Sequence, residues 1–144
     1  MTAERSTLVD TNVLLDVLTD DPRWGAWSSD ALAAAIDRGP ILINQLIFAE
    51  LSVRFAAASD VDAALAPLAL TRESIPFDAG FPAAQAFARY RQRGGSRSAV
   101  LPDFYIGAHA LVRGHTLLTR DARRYRTSFP GLELIAPPTP SSEE

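Results

Sequence analysis

The sequence predicts an α/β fold whose parallel sheet is covered by helices on both faces, and three observations carry that prediction. Short apolar runs recur along the chain and each is followed at once by helix signals. Strands alternating with helices build a parallel sheet buried on both sides. At 144 residues the chain is long enough to bury one sizeable core.

The elements follow in order. Ser6 to Val9 reads as a short buried strand, and Thr11 to about Leu18 as a helix that opens on Asp10. Asp20-Asp21-Pro22 breaks it. Ser29 to Asp37 is a helix stopped by Gly39-Pro40, and Ile41 to Asn44 is a second buried strand. Gln45 to Ala58 and Val61 to about Leu68 read as helices, and Ser74 to Phe77 as a short strand. The alanine- and arginine-rich stretch from Asp78 to Gln92 reads as a long helix closed by Gly94-Gly95, with a flexible loop to Ser98. Pro102 suits the first turn of a helix that runs to Val112 and ends at Gly114. Thr116 to Thr119 and Leu132 to Ile135 complete the strands. The organisation expected is one domain over residues 1–136 and a disordered Pro/Ser/Glu-rich tail over 137–144.

Composition excludes several classes of chemistry. With no cysteine, disulfides and thiolate metal sites are impossible. The basic residues number 14 and every one is arginine, so chemistry that needs an active-site lysine cannot operate. The net charge of −3 argues against a protein that coats polyanions indiscriminately. Two arginine clusters nevertheless stand out: Arg89, Arg91, Arg93 and Arg97, then Arg120, Arg123, Arg124 and Arg126. No signal-peptide core follows the first residues, and no stretch approaches the roughly 18 apolar residues of a membrane span, so a cytoplasmic location is expected.

Four acids occupy places from which they can meet. Asp10 and Asp121 each follow an inner-strand candidate, near the carboxyl edge where open α/β sheets put ligand sites. Glu50 lies within the helix after the second strand, and Asp103 in the first turn of the helix before the third. Singly, each has an ordinary explanation. Asp10 and Asp121 can cap helices, Asp103 favours a helix start, and Glu50 can pair with Arg54. Glu50 is the hardest to dismiss, because Leu46, Ile47 and Val53 place it on an apolar stripe. Jointly, four carboxylates in one pocket call for a hard divalent cation, and an all-oxygen set suits magnesium or manganese (Mg2+ or Mn2+). Thr11, Asn12 and Thr119 are placed to orient those carboxylates or bound water.

The segments Leu8-Val9-Asp10-Thr11-Asn12-Val13-Leu14-Leu15, Ile47 to Leu51, Leu101 to Ala110 and Leu117-Leu118-Thr119-Arg120-Asp121 together resemble the PIN-domain nucleases, in particular the VapC-type toxins of toxin–antitoxin pairs. The resemblance spans Leu8 to about Ile135. It implies a three-layer α/β/α sandwich with a central parallel sheet and a Mg2+- or Mn2+-dependent endoribonuclease that hydrolyses phosphodiesters with metal-activated water. By matching position, Asp10, Glu50, Asp103 and Asp121 would be the catalytic, metal-holding acids, with Thr119 as their polar neighbour. It also implies an RNA substrate, a small cognate antitoxin and a homodimer.

Other residues are weighed against that frame. Arg120 and Arg123 flank Asp121 and are the arginines best placed to touch RNA. His109, well inside its helix, reads as a packing residue rather than a general acid. Trp24, Trp27, Phe48, Phe55 and Phe87 read as core, with a groove for a helix of a partner as the other use. The aspartate-nucleophile phosphatases share the strand-Asp opening, but Asn12 stands at their second aspartate and the lysine they need is missing. The remaining rival is a catalytically inactive binding module of the same fold, acting through protein or RNA binding.

Overall fold

The computed structural model describes residues 5–95 and 100–138. Five parallel strands form one sheet: β1 (Thr7–Val9), β2 (Ile41–Ile43), β3 (Thr71–Arg72), β4 (Thr116–Leu118) and β5 (Leu134–Ile135), in the spatial order β3-β2-β1-β4-β5. Seven α-helices cover it: α1 (Thr11–Leu18), α2 (Gly25–Arg38), α3 (Gln45–Ser52), α4 (Ala58–Leu65), α5 (Gly80–Gln92), α6 (Leu101–Arg113) and α7 (Ala122–Ser128). The sequence-predicted α/β/α sandwich is therefore the fold.

The three central strands are buried at every residue, which explains their continuous apolar character. Register is fixed by Leu8, which lies opposite Leu42 on one side and Leu117 on the other. Strand order reverses direction at β1: the chain adds β2 and β3 on one side, then crosses to add β4 and β5 on the other. A crevice between the carboxyl ends of β1 and β4 follows from that reversal.

Three expected elements differ. The helix expected from Gln45 to Ala58 stops at Ser52, and α4 starts afresh at Ala58. Ile47 and Leu51 carry the buried face of α3, whereas Val53 is 85% exposed, so the apolar stripe runs out and the chain turns. The strand expected at Ser74 to Phe77 is instead Thr71–Arg72, pairing with Leu42 and Ile43. Both β3 residues are exposed, so this edge strand carries no apolar signature. Beyond it, the Ile75 N–H donates to the Gln45 side chain (2.8 Å) and Pro76 has no N–H to offer a ladder. Helix α2 begins at Gly25, four residues ahead of expectation, because the Asp21 carboxylate accepts the N–H groups of Arg23 and Trp24 (3.0 and 2.7 Å). Arg97, part of the loop to Ser98 and most of the expected tail lie outside the described residues.

One close approach sets the height of α7. A methyl group on Gly107 of α6 would lie 2.5 Å from Phe129 Cδ2 and 3.1 Å from Tyr125 Cδ1. Only glycine lets α7 settle against α6 at this distance, and Tyr125 is thereby held under the carboxyl edge of the sheet. Gly107→Ala is expected to destabilise the fold by about 1–3 kcal/mol, from the displacement of Phe129 and Tyr125. A urea titration followed by tryptophan fluorescence measures it, and an unchanged midpoint would refute the packing argument.

Candidate functional site

Asp10 is the centre of the site. It leaves β1 in extended conformation (φ −68°, ψ 153°), caps α1 and is only 6% exposed. Its Oδ1 accepts the Thr11 N–H at 2.8 Å. Its Oδ2 accepts the Thr119 hydroxyl (2.8 Å), the Tyr125 phenol (3.2 Å) and, more distantly, the Asn12 amide (3.5 Å). Burial raises the Asp10 pKa above its ordinary value, against the hydrogen bonds that favour the carboxylate, and the Glu50 charge adds to the rise. Burial and the facing Asp10 charge push Tyr125 well up, so its phenol stays protonated and donates.

The other acids are tied to this centre by short relays. Thr119 donates to Asp10 and accepts the Asp121 N–H (2.9 Å), which places Asp121 at the start of α7. Thr11 gives its N–H to Asp10 and its hydroxyl to Glu50 in a short hydrogen bond. Glu50 itself is exposed, on the edge of the apolar stripe rather than within it, because Ile47 and Leu51 take the buried face of α3. Among the described residues no ion pair joins it to Arg54. Asp103 closes the first turn of α6, where its carboxylate accepts the Val100 N–H at 2.8 Å.

Arg124 stands beside Asp121. Its Nε lies 3.4 Å from Asp121 Oδ2. Burial works against the guanidinium charge, and the fields of Asp121, Asp103 and Asp10 outweigh it and hold the group above its ordinary pKa. Three acids from three separate elements thus act on one cation. Their oxygens do not all crowd within 4.8 Å of one another, a spacing found among the described residues only at Glu73, His109 and His115. Carboxylate oxygens with hydroxyl and amide neighbours are donors of the kind a hard divalent cation takes while keeping several of its waters.

The Glu73–His109–His115 group is better described as a hydrogen-bond network. Asn44 Oδ1 caps α3 by accepting the Ile47 N–H (3.0 Å), so its amide nitrogen faces His109 Nδ1 (3.0 Å). His109 must then carry its proton on Nε2, which donates to Glu73 Oε1 (2.7 Å). His115 Nε2 meets the same oxygen at 2.7 Å, and its Nδ1 meets the Ser6 hydroxyl at 2.5 Å. A nitrogen that donates a proton cannot ligate a metal. His109, fully buried, is thus the packing residue the sequence suggested.

Two residues near the site, Tyr125 and Asp16, were not singled out from sequence. Tyr125 belongs to α7, as does Arg124, which the sequence marked only as a member of an arginine cluster. Asp16, 3% exposed, accepts the Ser28 hydroxyl (2.6 Å) and a two-pronged ion pair from Arg120, with Nε–Oδ2 at 2.5 Å and Nη2–Oδ1 at 3.1 Å. The Arg120 N–H also donates to Asn12 Oδ1 at 3.2 Å. A carboxylate on the buried face of an amphipathic helix, as at Asp16, is the sequence signal for such a partner.

The histidine network predicts a stability profile. Burial holds His109 below its ordinary pKa of 6.5, against the Glu73 hydrogen bond and charge. For Glu73 burial acts upward, but the hydrogen bonds from His115 and His109 outweigh it and hold the carboxyl below its ordinary 4.5. Both groups bind protons more readily when unfolded, so the stabilisation is complete above the unfolded pKa values and is lost as pH falls. Melting temperature is expected to drop as pH is lowered through 6.5, and again below 4.5. Glu73→Gln should shrink the lower step, to which Glu133, also held below 4.5, contributes as well; differential scanning fluorimetry across that range decides it.

Comparison with known proteins agrees with this architecture. Residues 7–130 match the family described as "PIN domain". No curated protein matches the chain. Among solved structures, VapBC2 from Rickettsia felis bound to a promoter DNA fragment is similar with a TM-score of 0.71 at 18% identity, over 91% of this chain and 98% of that one. VapBC-1 from nontypeable Haemophilus influenzae gives 0.70 at 14% identity, over 91% and 97%. A toxin–antitoxin complex from Klebsiella pneumoniae gives 0.64 at 23% identity, over 90% and 95%. At these identities the likeness is one of fold, while the family match spans most of the sequence: the chain belongs to the PIN domain family.

Proposed function

We propose that the protein is a magnesium- or manganese-dependent endoribonuclease, working as the toxin of a toxin–antitoxin pair. The observation that carries this reading is the buried Asp10 carboxylate at the strand-order reversal, linked through Thr119 to Asp121 and through Thr11 to Glu50. Asp103 and Asp121, in the field of Arg124 with Asp10, supply the remaining oxygen donors. PIN-family membership supports nuclease chemistry, and likeness to VapBC and other toxin–antitoxin complexes supports an antitoxin partner.

When bound, the divalent ion supplies Lewis-acid activation of water and neutralises charge on the phosphate. The chain's own residues do the rest. Thr119, Tyr125 and the Thr11 N–H hold the Asp10 carboxylate in one orientation, so that little reorganisation is needed when an ion arrives. Glu50, exposed and joined to the Asp10 side through the Thr11 hydroxyl, is an acid of this set that solvent reaches. Arg124, beside Asp121, is a cation that would help neutralise the charge of a bound phosphate.

No helix among the described residues is long and apolar enough to cross a membrane. Phe77, just ahead of α5, and Phe81, in its first turn, are 102% and 72% exposed and offer apolar surface that a homodimer would cover.

The test uses purified, partner-free protein and labelled cellular RNA, with Mg2+, Mn2+ or EDTA. Cleavage is expected only with metal, and Asp10→Asn and Asp103→Asn should each lower it at least about 100-fold with the fold intact. Tyr125→Phe, which removes one donor to Asp10, should weaken apparent Mn2+ affinity about tenfold in a calorimetric titration. Cleavage that persists in EDTA or in the aspartate variants would overturn the assignment. RNA that is bound but never cut would instead make the chain a binding module.

A further inference from the structure

Four of the five aromatic residues expected in the core, Trp27, Phe48, Phe55 and Phe87, pack against it half-buried. Trp24 does something else. The Arg23 Cζ lies 5.4 Å from its ring centroid and the Arg120 Cζ 5.2 Å, so two guanidinium groups attend one indole. Arg120 is held in plane there by its two-pronged pair with buried Asp16. This array lines a cleft of ≈ 430 Å³ that also includes Arg123, Arg126 and Asp121.

A second cleft, of ≈ 470 Å³, lies across α7 and is lined by Tyr90, Arg93, Arg123, Arg124 and Asp121 among others. The two share Asp121, Arg123 and Thr127. Helix α7 is therefore a ridge between two arginine-lined hollows, and an acid of the proposed catalytic set stands on their common wall. Each hollow also offers a planar aromatic ring.

We propose that the Arg23–Trp24–Arg120 cleft is a nucleotide-binding subsite that holds one flank of a single-stranded RNA, so that the strand crosses α7 at Asp121. The exposed Arg23 and Arg126 guanidinium groups are free of core packing and can grip phosphates, while Arg120, held by Asp16, and Trp24 offer planar groups on which bases stack without demanding a sequence. An acidic peptide would satisfy the charge but would leave the paired planar groups and the continuity of the two clefts without a use. The subsite rests on the ribonuclease reading above, yet it is tested by binding alone.

The experiment measures anisotropy of a short fluorescein-labelled single-stranded RNA in EDTA, where binding is read without cleavage. Arg23 and Arg126 are exposed, so Arg23→Gln/Arg126→Gln leaves the core untouched. Arg38→Gln/Arg113→Gln makes the same charge change at residues that precede β2 and β4, at the opposite edge of the sheet. The cleft variant is expected to bind at least about tenfold more weakly and to lose about 1.4 from the slope of log K against log salt, while the control changes less than about twofold. Trp24 and Trp27 are the only tryptophans, and RNA should quench the wild-type emission but not that of Trp24→Phe.

Unchanged affinity in the cleft variant, or equal loss in the control, overturns the subsite. A cleft variant that keeps its RNA affinity but loses a co-expressed partner protein gives the cleft to that partner and overturns it too. The two readings fail separately. Metal-dependent cleavage with no effect of the cleft variant on binding leaves the nuclease and removes the subsite. Cleft-dependent binding with no cleavage does the reverse.

Discussion

A carboxylate buried at the end of a central strand is a standing electrostatic demand, and much of this molecule is arranged to meet it. Asp10 sits where β1 and β4 end together, its own N–H donating to Leu118 O at 2.9 Å. Four donors from α1, α7 and the β4–α7 junction converge on its two oxygens. These bonds favour the charged form, burial disfavours it, and burial prevails. A carboxylate left in that condition gains from a cation more than a solvated one would, which is the physical reason to expect affinity for a divalent ion at this point.

The same demand organises the surroundings in layers. Thr119 is bonded on both sides, donating to Asp10 and accepting from Asp121, so the strand end and the helix start move as one piece. Tyr125 reaches Asp10 only because Gly107 lets α7 lie close to α6. Asn12 joins the β4–α7 junction to Asp10 by bonding both, and Arg120, anchored on Asp16, ties that junction to α1. Arg124 and the arginines of the neighbouring clefts bring positive charge to a chain whose net charge is negative. Local charge distribution, not net charge, governs contact with a polyanion.

The polar network of Glu73, His109 and His115 shows why proximity alone does not define a metal site. Its three ligand atoms are closer together than those of the acidic group. The proton positions imposed by Asn44 nevertheless make His109 a donor, and the network is filled by its own hydrogen bonds. The acidic group has the opposite character: its members carry like charge, and Arg124 is a cation held beside one of them, Asp121. Unmet charge, rather than short distance, marks the place where an ion would be stabilised.

How much of this was legible in the sequence differs from element to element. The buried strands at Leu8, Ile41 and Leu117 declare themselves because both faces are apolar, and Asp10 declares itself by following one of them. The edge strand Thr71–Arg72 could not, since a strand with exposed side chains has no apolar signature. Glu50 was placed on the right helix but on the wrong face, because the helix stops at Ser52 and its buried stripe is carried by Ile47 and Leu51. Residue type and local periodicity thus determined the fold class, the order of elements and the identity of four candidate acids. Only the tertiary structure decided that Tyr125, brought in by the contact at Gly107, would donate to Asp10, that Asp16 would anchor Arg120, and that Trp24 would face a cleft. Those outcomes join residues about a hundred positions apart in the chain, and nothing in local pattern encodes which distant partners packing will bring within hydrogen-bonding distance.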